Sequence, residues 1–495
     1  KPVPVQRAWP LDFAAVTDHA EYLGAMSELD VADSPFSKSE LGQKLRDAGQ
    51  SAYFMSSALR RDPEGIKLMS KATTESGGWN IEIKAANDNY EPGKFTTFIA
   101  YEWTASAGNG VHMHRNVIFN GDHAPAPFTA VDSNDPEKLW QYLDSVRSTG
   151  LDVLAIPHNS NLSDGHDFDW NKSDGRPIDE AYALERALNE PLVEIAQTKG
   201  TSETTPELSP RDEFANFEIM DRIYGGETTP TQHGSYVREA FGRGLVIQSS
   251  NVGVNPFKMG VVGGSDLHNG LSVSDENSYA NSEIEELDPN TMVPIAVTVS
   301  RMRTSKPEEL ERRPSGQVEN DPLQMASGAI TGVWAEMNTR EAIFAALKRK
   351  ETFATSGTRI RLRMFAGWDF PSNMTNNNHW VKQVYARGVA MGSDLPSMPA
   401  SAKALTLVLQ AQKDPDGANL DRIQVIKVWL EGGDYREKVF EAVLSGDRRA
   451  SGGTPVAPVG NTVDLTTGKY TNTIGAPTLL AVWRDPEFDP VKPAV

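Results

Sequence analysis

Five short apolar runs mark the chain up to residue 262, and each stops on polar or charged residues rather than on a simple turn. Residues 11–16 (LDFAAV) lead into Thr17, Asp18 and His19, residues 95–101 (FTTFIAY) into Glu102, and residues 151–156 (LDVLAI) into Pro157, His158 and Asn159. Residues 192–196 (LVEIA) precede Gln197, Thr198, Lys199 and Gly200, and residues 259–262 precede Gly263, Gly264, Ser265, Asp266, Leu267 and His268. Runs this continuous predict parallel strands buried on both faces. Helical spacing falls between them. Residues 137–148 place Leu139, Tyr142, Leu143 and Val146 on one face after an Asp135-Pro136 start. Similar patterns cover 179–188, 212–224 and 236–243. Residues 339–350 align Ile343, Phe344 and Leu347 and crowd Lys348, Arg349 and Lys350 into the last turn. Strands alternating with helices predict an α/β fold, either a barrel or a doubly wound sheet.

The pattern changes near Gly367. Residues 373–378 form an Asn-rich linker, and 405–409, 422–430 and 479–483 read as strands with few helices between and much Gly and Pro. The expected division is an α/β unit over 1–367 and a β-rich C-terminal module over 368–495. Long polar stretches at 61–93, 160–180 and 272–325 read as loops and short helices over the mouth of the α/β unit.

Composition narrows the chemistry. The 495 residues carry 48 Lys+Arg against 67 Asp+Glu, a net charge of −19. So acidic a chain repels phosphate backbones, which argues against nucleic acid as a partner. No stretch approaches the roughly 18 apolar residues of a transmembrane segment. Cysteine is absent, which removes disulfides, thiolate zinc sites and a cysteine nucleophile. Any metal must then be held by His, Asp, Glu or backbone oxygen. An acidic, cysteine-free chain is compatible with the periplasm, the expected location, with the cytoplasm as the alternative.

In a parallel α/β barrel the active site lies at the carboxyl ends of the strands. That rule gathers His19, Glu102, His158, Asp266 and His268 at one rim, with His114 reaching it from the loop before residues 116–119 (NVIF). Imidazoles and carboxylates without a thiol are the donors expected for zinc, manganese or iron. Such ions lower the pKa of water and clamp the oxygens of a displacement, which suits hydrolysis and phosphoryl transfer best. Each residue also has a plainer reading. A lone His after a strand is commonly a hydrogen-bonded loop residue, and Asp18 could cap a helix over 20–29 as readily as orient His19. The conjunction at successive strand ends is what favours a site. His112 is expected in the loop or behind His114, while His123, His166, His233 and His379 lack a supporting pattern. Arg115, Lys199 and Asn159, beside the proposed ligands, could hold an anionic group of a small-molecule substrate or form ordinary ion pairs.

The stretches LDFAAVTDHAEYLG, IAYEWTA, HRNVIF, IPHNSNLSDG, VEIAQTKGTSE and VGGSDLHNG resemble the PHP (polymerase and histidinol phosphatase) superfamily. More closely, with the later TGVWAEMNTREAIFAALKRKETFATSG, KDPDGANLDRIQVIKVW and AVWRDPEFDP, they resemble a bacterial branch known mainly as a domain of unknown function. The resemblance implies a distorted (β/α)7 barrel whose mouth holds two or three divalent ions. Carried over by motif, the ligands are His19, Glu102, His114, His158, Asp266 and His268, and the activity is phosphoester hydrolysis by a metal-activated water. Asp18 or Asp266 would assist proton transfer, and Arg115 and Lys199 would steady substrate oxygens. One departure stands out: the family opens with a His-x-His pair, and no His precedes His19. The expectation is that a first strand bearing that pair is missing and that an N-terminal fragment completes the barrel. The alternatives are a metal-dependent C–N hydrolase and a non-catalytic metal- or ligand-binding barrel.

Overall fold

A computed structural model of the chain describes residues 9–48, 63–108, 110–220, 223, 230–267, 328–449 and 456–495. All five apolar runs form strands: β1 (Phe13–Ala15), β2 (Thr96–Trp103), β6 (Asp152–Pro157), β7 (Leu192–Gln197) and β9 (Gly260–Gly263). Between β2 and β6 lie the small hairpin β3 (Ser106–Gly108) and β4 (Val111–His112), then β5 (Arg115–Asn120). β8 (Gly200–Thr201) folds back on β7, and β10 (Ile330–Val333) pairs antiparallel with β11 (Thr352–Thr355).

The strands are not all parallel, as the runs had suggested. One sheet has the order β1-β2-β5-β6, with β1 and β2 parallel but β2–β5 and β5–β6 antiparallel; a second has the order β8-β7-β9, with β7 and β9 parallel. A continuous apolar run reports burial on both faces and carries no information on direction. The connection 104–114 holds only the β3–β4 hairpin, too little chain for a parallel crossover, so β5 must run back along β2.

Alternation along these strands sorts their side chains into two layers. Phe98, Ala100, Ile118, Leu154, Ile156, Leu192 and Val262 share one inner cluster with Phe13, Ala15 and Val333. Helix α8 (Arg340–Lys348) closes it with Ile343, Phe344 and Leu347. The opposite face packs outward. Tyr101, Trp103, Val117, Phe119 and Val153 meet α4 (Gly78–Asp88) and α5 (Pro136–Ser148), while Val193 meets α6 (Glu180–Asn189) and α7 (Val237–Ser249). Among the described residues, hydrogen bonding leaves these strands as separate small sheets, joined through their common inner cluster.

Local signals hold at the helix starts. Asp135 accepts from Glu137 N with Pro136 in the first turn, Asp179 caps α6, and Thr339 caps α8. Other expectations need correction. Within 61–93, read as loops and short helices, the chain forms α3 (Pro63–Ser76) and α4 after two brief helices, α1 (Pro35–Lys38) and α2 (Glu40–Ala48); α4 packs against β2 rather than over a mouth. Residues 212–220 are a run of turns, not the start of a helix. The polar stretch 272–325 lies outside the described residues.

The strands from Arg361 onward form a separate four-stranded sheet and a long hairpin. β12 (Arg361–Trp368) pairs with β13 (Val389–Ala390) and β14 (Leu405–Gln412), and β14 with β17 (Thr478–Arg484), so the change of sheet precedes Arg361 rather than Gly367. Helix α9 (Trp380–Arg387) follows the Asn-rich linker and covers this sheet through Trp380 and Val384. The long hairpin of β15 (Arg422–Glu431) and β16 (Asp434–Leu444) lies against α7, where the Tyr435 ring sits over Gly242.

Candidate metal centre

The pairing of β1 with β2 continues one step beyond the strand. Glu102 N donates to Asp18 O at 2.9 Å, and His19 bridges to Glu102 in parallel register. Because β5 runs antiparallel to β6, the residue before β5 and the residue after β6 arrive at the same end, and His158 N donates to His114 O at 3.2 Å. Backbone register thus delivers three imidazoles around one carboxylate on the inner face.

Glu102 is 4% exposed. Its Oε1 lies 2.9 Å from His114 Nδ1, 3.3 Å from His19 Nδ1 and 3.7 Å from His158 Nε2. Thr104 Oγ1 donates to the same oxygen at 3.2 Å and lies 2.6 Å from His19 Nδ1, tying both side chains. Donor atoms of Glu102, His114 and His158 all fall within 4.8 Å of one another, and all three side chains are buried. His19 is the most open of the group at 22%. His112 stacks on His114 with ring centroids 4.2 Å apart and planes 10° from parallel. Burial pulls the Glu102 carboxyl upward, but His19, His114 and His158 outweigh it and hold it well below the usual carboxylate range. Burial also lowers the His114 and His158 pKa values, so their lone pairs stay available near neutrality. An anionic carboxylate beside neutral imidazoles, all turned to one point, is a donor set that fits a divalent transition metal.

Asp266 arrives from the end of β9 in a left-handed conformation, φ 50°. It stands outside the three-donor group. Its Oδ2 accepts from Gln197 Nε2 at 2.7 Å and Asn159 Nδ2 at 3.1 Å and forms a short ion pair with Lys199 Nζ. Asn159 is also left-handed, φ 56°, and fully buried. Gln197 Oε1 accepts from Lys199 N at 2.6 Å, so one side chain orders both partners of the pair. His268 lies outside the described residues.

Two expected site residues are placed elsewhere. Arg115 follows His114 directly, yet alternation turns it to the outer face with Val117 and Phe119. There its guanidinium is 2.8 Å from Asp167 and 3.1 Å from Glu190, over the Trp103 ring and 1% exposed. It is part of a buried ion cluster and not a substrate contact. Asp18 likewise points away from His19. It is exposed, and its carboxyl hydrogen-bonds Glu82 on α4, where burial and then Asp18 push Glu82 up to about 7. Nor does Asp18 cap a helix: the turn Ala20–Tyr22 has His19 at its start with no side-chain cap.

Three polar residues behind the site were not anticipated. Glu194 on β7 shares the inner face and is 4% exposed; burial and then Asp266 push its carboxyl well above the usual range. The signal was present as one Glu inside the apolar run LVEIA. Glu21 is buried, and its Oε1 accepts from Thr104 N at 3.1 Å and Ala130 N at 2.8 Å, fixing the turn that presents Thr104. Gln197 is legible only through its contacts.

The family model described as "Protein of unknown function (DUF3604)" matches residues 1–495, and the chain belongs to that family. No curated protein and no solved structure matches it.

Proposed function

We propose that this protein is a metal-dependent hydrolase acting on phosphoesters of small anionic substrates, with its strands arranged as a PHP-like distorted barrel. The observation that carries this reading is the convergence of Glu102, His114 and His158 donors within 4.8 Å in a buried setting, with His19 beside them. These residues would hold the first cation, and Asp266 and His268 are the remaining expected ligands for a second. When bound, a divalent ion supplies Lewis acidity, which brings the pKa of water toward neutrality and stabilises developing negative charge.

The chain's own groups have separate tasks. Thr104 fixes Glu102 and His19 in one orientation, and Gln197 and Asn159 hold Asp266 against Lys199. Lys199 is the cation nearest that carboxylate, placed to exchange its ion pair for an anionic substrate oxygen. His19, the most open imidazole of this group, marks the side from which substrate enters. Phosphoryl transfer relies on positioning and charge stabilisation more than on covalent chemistry, and this donor set offers both.

The test is elemental analysis of the full chain together with hydrolysis of p-nitrophenyl phosphate, before and after chelation and metal restoration. His158→Ala should lose the metal and most activity while keeping the circular-dichroism spectrum of the parent. Full activity at unchanged metal content in that variant would refute the assignment. Turnover of amides but not phosphates would shift the reading to C–N hydrolysis, and a parent with neither metal nor turnover would leave a binding barrel.

A further inference from the structure

A cavity lies at the end of the strands away from the candidate metal centre. β9 ends toward Asp266, whereas β10 begins beside Gly263 and runs the opposite way, ending just before Trp334. Lys350, next to Gly260 at the start of β9, precedes β11. The cavity of about 530 Å³ opens there, between the β10–β11 hairpin and the first strands of the C-terminal module. That volume is in the range of small-molecule sites.

Its polar lining is uneven. Arg349 is taken: it donates to Glu351 Oε2 at 3.1 Å and to Glu336 Oε1 at 3.0 Å. Glu351 Oε1 accepts a short hydrogen bond from Tyr385 O–H. Arg363 differs. Its guanidinium carbon stacks 3.5 Å from the Trp334 ring centroid. Its Nε is buried without a hydrogen-bond partner, and among the described residues no carboxylate pairs with it. A guanidinium carries five N–H donors in a planar fork that matches a carboxylate, and stacking leaves that edge free to point into the space. Val389, Ala390 and Met391 supply an apolar wall beside it.

We propose that this cavity is a second ligand site that takes a small carboxylate with an apolar body, its oxygens held by the Arg363 edge and its body against Trp334 and the wall 389–391. Charge selects the class. Arg349 and Arg363 balance Glu336 and Glu351, so a monoanion is tolerated where a phosphate dianion would meet two nearby carboxylates. This site shares no residue with the metal centre and does not depend on the hydrolase reading.

The experiment is calorimetric titration of benzoate into the full chain after chelation, with inorganic phosphate as the second probe. Saturable benzoate binding should survive in His158→Ala, weaken roughly tenfold or more in Arg363→Gln, and weaken less in Arg363→Lys, which keeps the charge but not the fork. Phosphate should bind more weakly than benzoate. Thermal melting checks that the variants fold, and Arg363→Lys carries the test if Arg363→Gln does not. Absence of saturable benzoate binding overturns the proposal, leaving Arg363 as a stacking partner of Trp334. Binding unchanged in Arg363→Gln, or lost in His158→Ala, overturns it as well. Preference for phosphate would overturn the carboxylate assignment.

Discussion

Replacing Arg115 by methionine removes a cation from the interior while keeping most of its stem. The guanidinium is 1% exposed, with Asp167 at 2.8 Å, Glu190 at 3.1 Å and Met113 O accepting from Nη1 at 2.7 Å. Glu190 keeps a second partner, Arg186 Nη2 at 3.1 Å, so most of the damage falls on Asp167. Coulomb attraction at 3 Å in an effective dielectric near 20 is about 5 kcal/mol, reduced by the desolvation that Arg115 itself no longer requires. Removing one partner of a buried pair typically costs about 3–5 kcal/mol, and that is the expected loss. In urea, with a slope of about 1–3 kcal/mol per molar, the unfolding midpoint of this unit should fall by roughly 1–5 M. The pH dependence follows from sign. Burial already raises the Asp167 pKa against the pull of Arg115, and without Arg115 it rises further. The folded state then binds a proton that the unfolded state has released, so stability falls as pH rises between the unfolded and folded values. The variant's deficit should therefore be larger near pH 8 than near pH 5. An unchanged midpoint combined with lost metal binding or turnover would refute this reasoning and return Arg115 to the chemistry.

Three further substitutions test the packing around the site. Glu194→Gln replaces a carboxyl whose pKa burial and then Asp266 push well above the usual range by a neutral amide of the same shape; the expected cost is within about 1 kcal/mol by urea denaturation, and a loss above about 3 kcal/mol would mean that Glu194 is ionised in the folded protein. Gly264→Ala would drive a methyl group into Glu194 Oε2, and should cost about 1–3 kcal/mol on thermal melting; an unchanged melting temperature would show that Glu194 can swing aside. Gly242→Ala would push into the Tyr435 ring, so the β15–β16 hairpin should loosen from α7, seen as faster proteolysis within 422–444; unchanged cleavage would refute that docking.

The sequence by itself determined where the five strands of the apolar runs lie and which chemical groups stand at their ends. Apolar runs must be buried, and a polar residue closing such a run is held at the rim, which is why His19, Glu102 and His158 were legible. It also determined the helix starts at Asp135, Asp179 and Thr339, because capping acts within one turn. Tertiary structure alone decided strand direction, since burial on both faces is the same for a strand running either way. It separated His114 from Arg115, adjacent residues sent to opposite faces by the two-residue period of a strand. It joined Asp266 to Lys199, 67 positions apart, and turned Glu194 inward beside them. Such pairings depend on how separate strands are set side by side, and spacing along the chain holds no record of that distance.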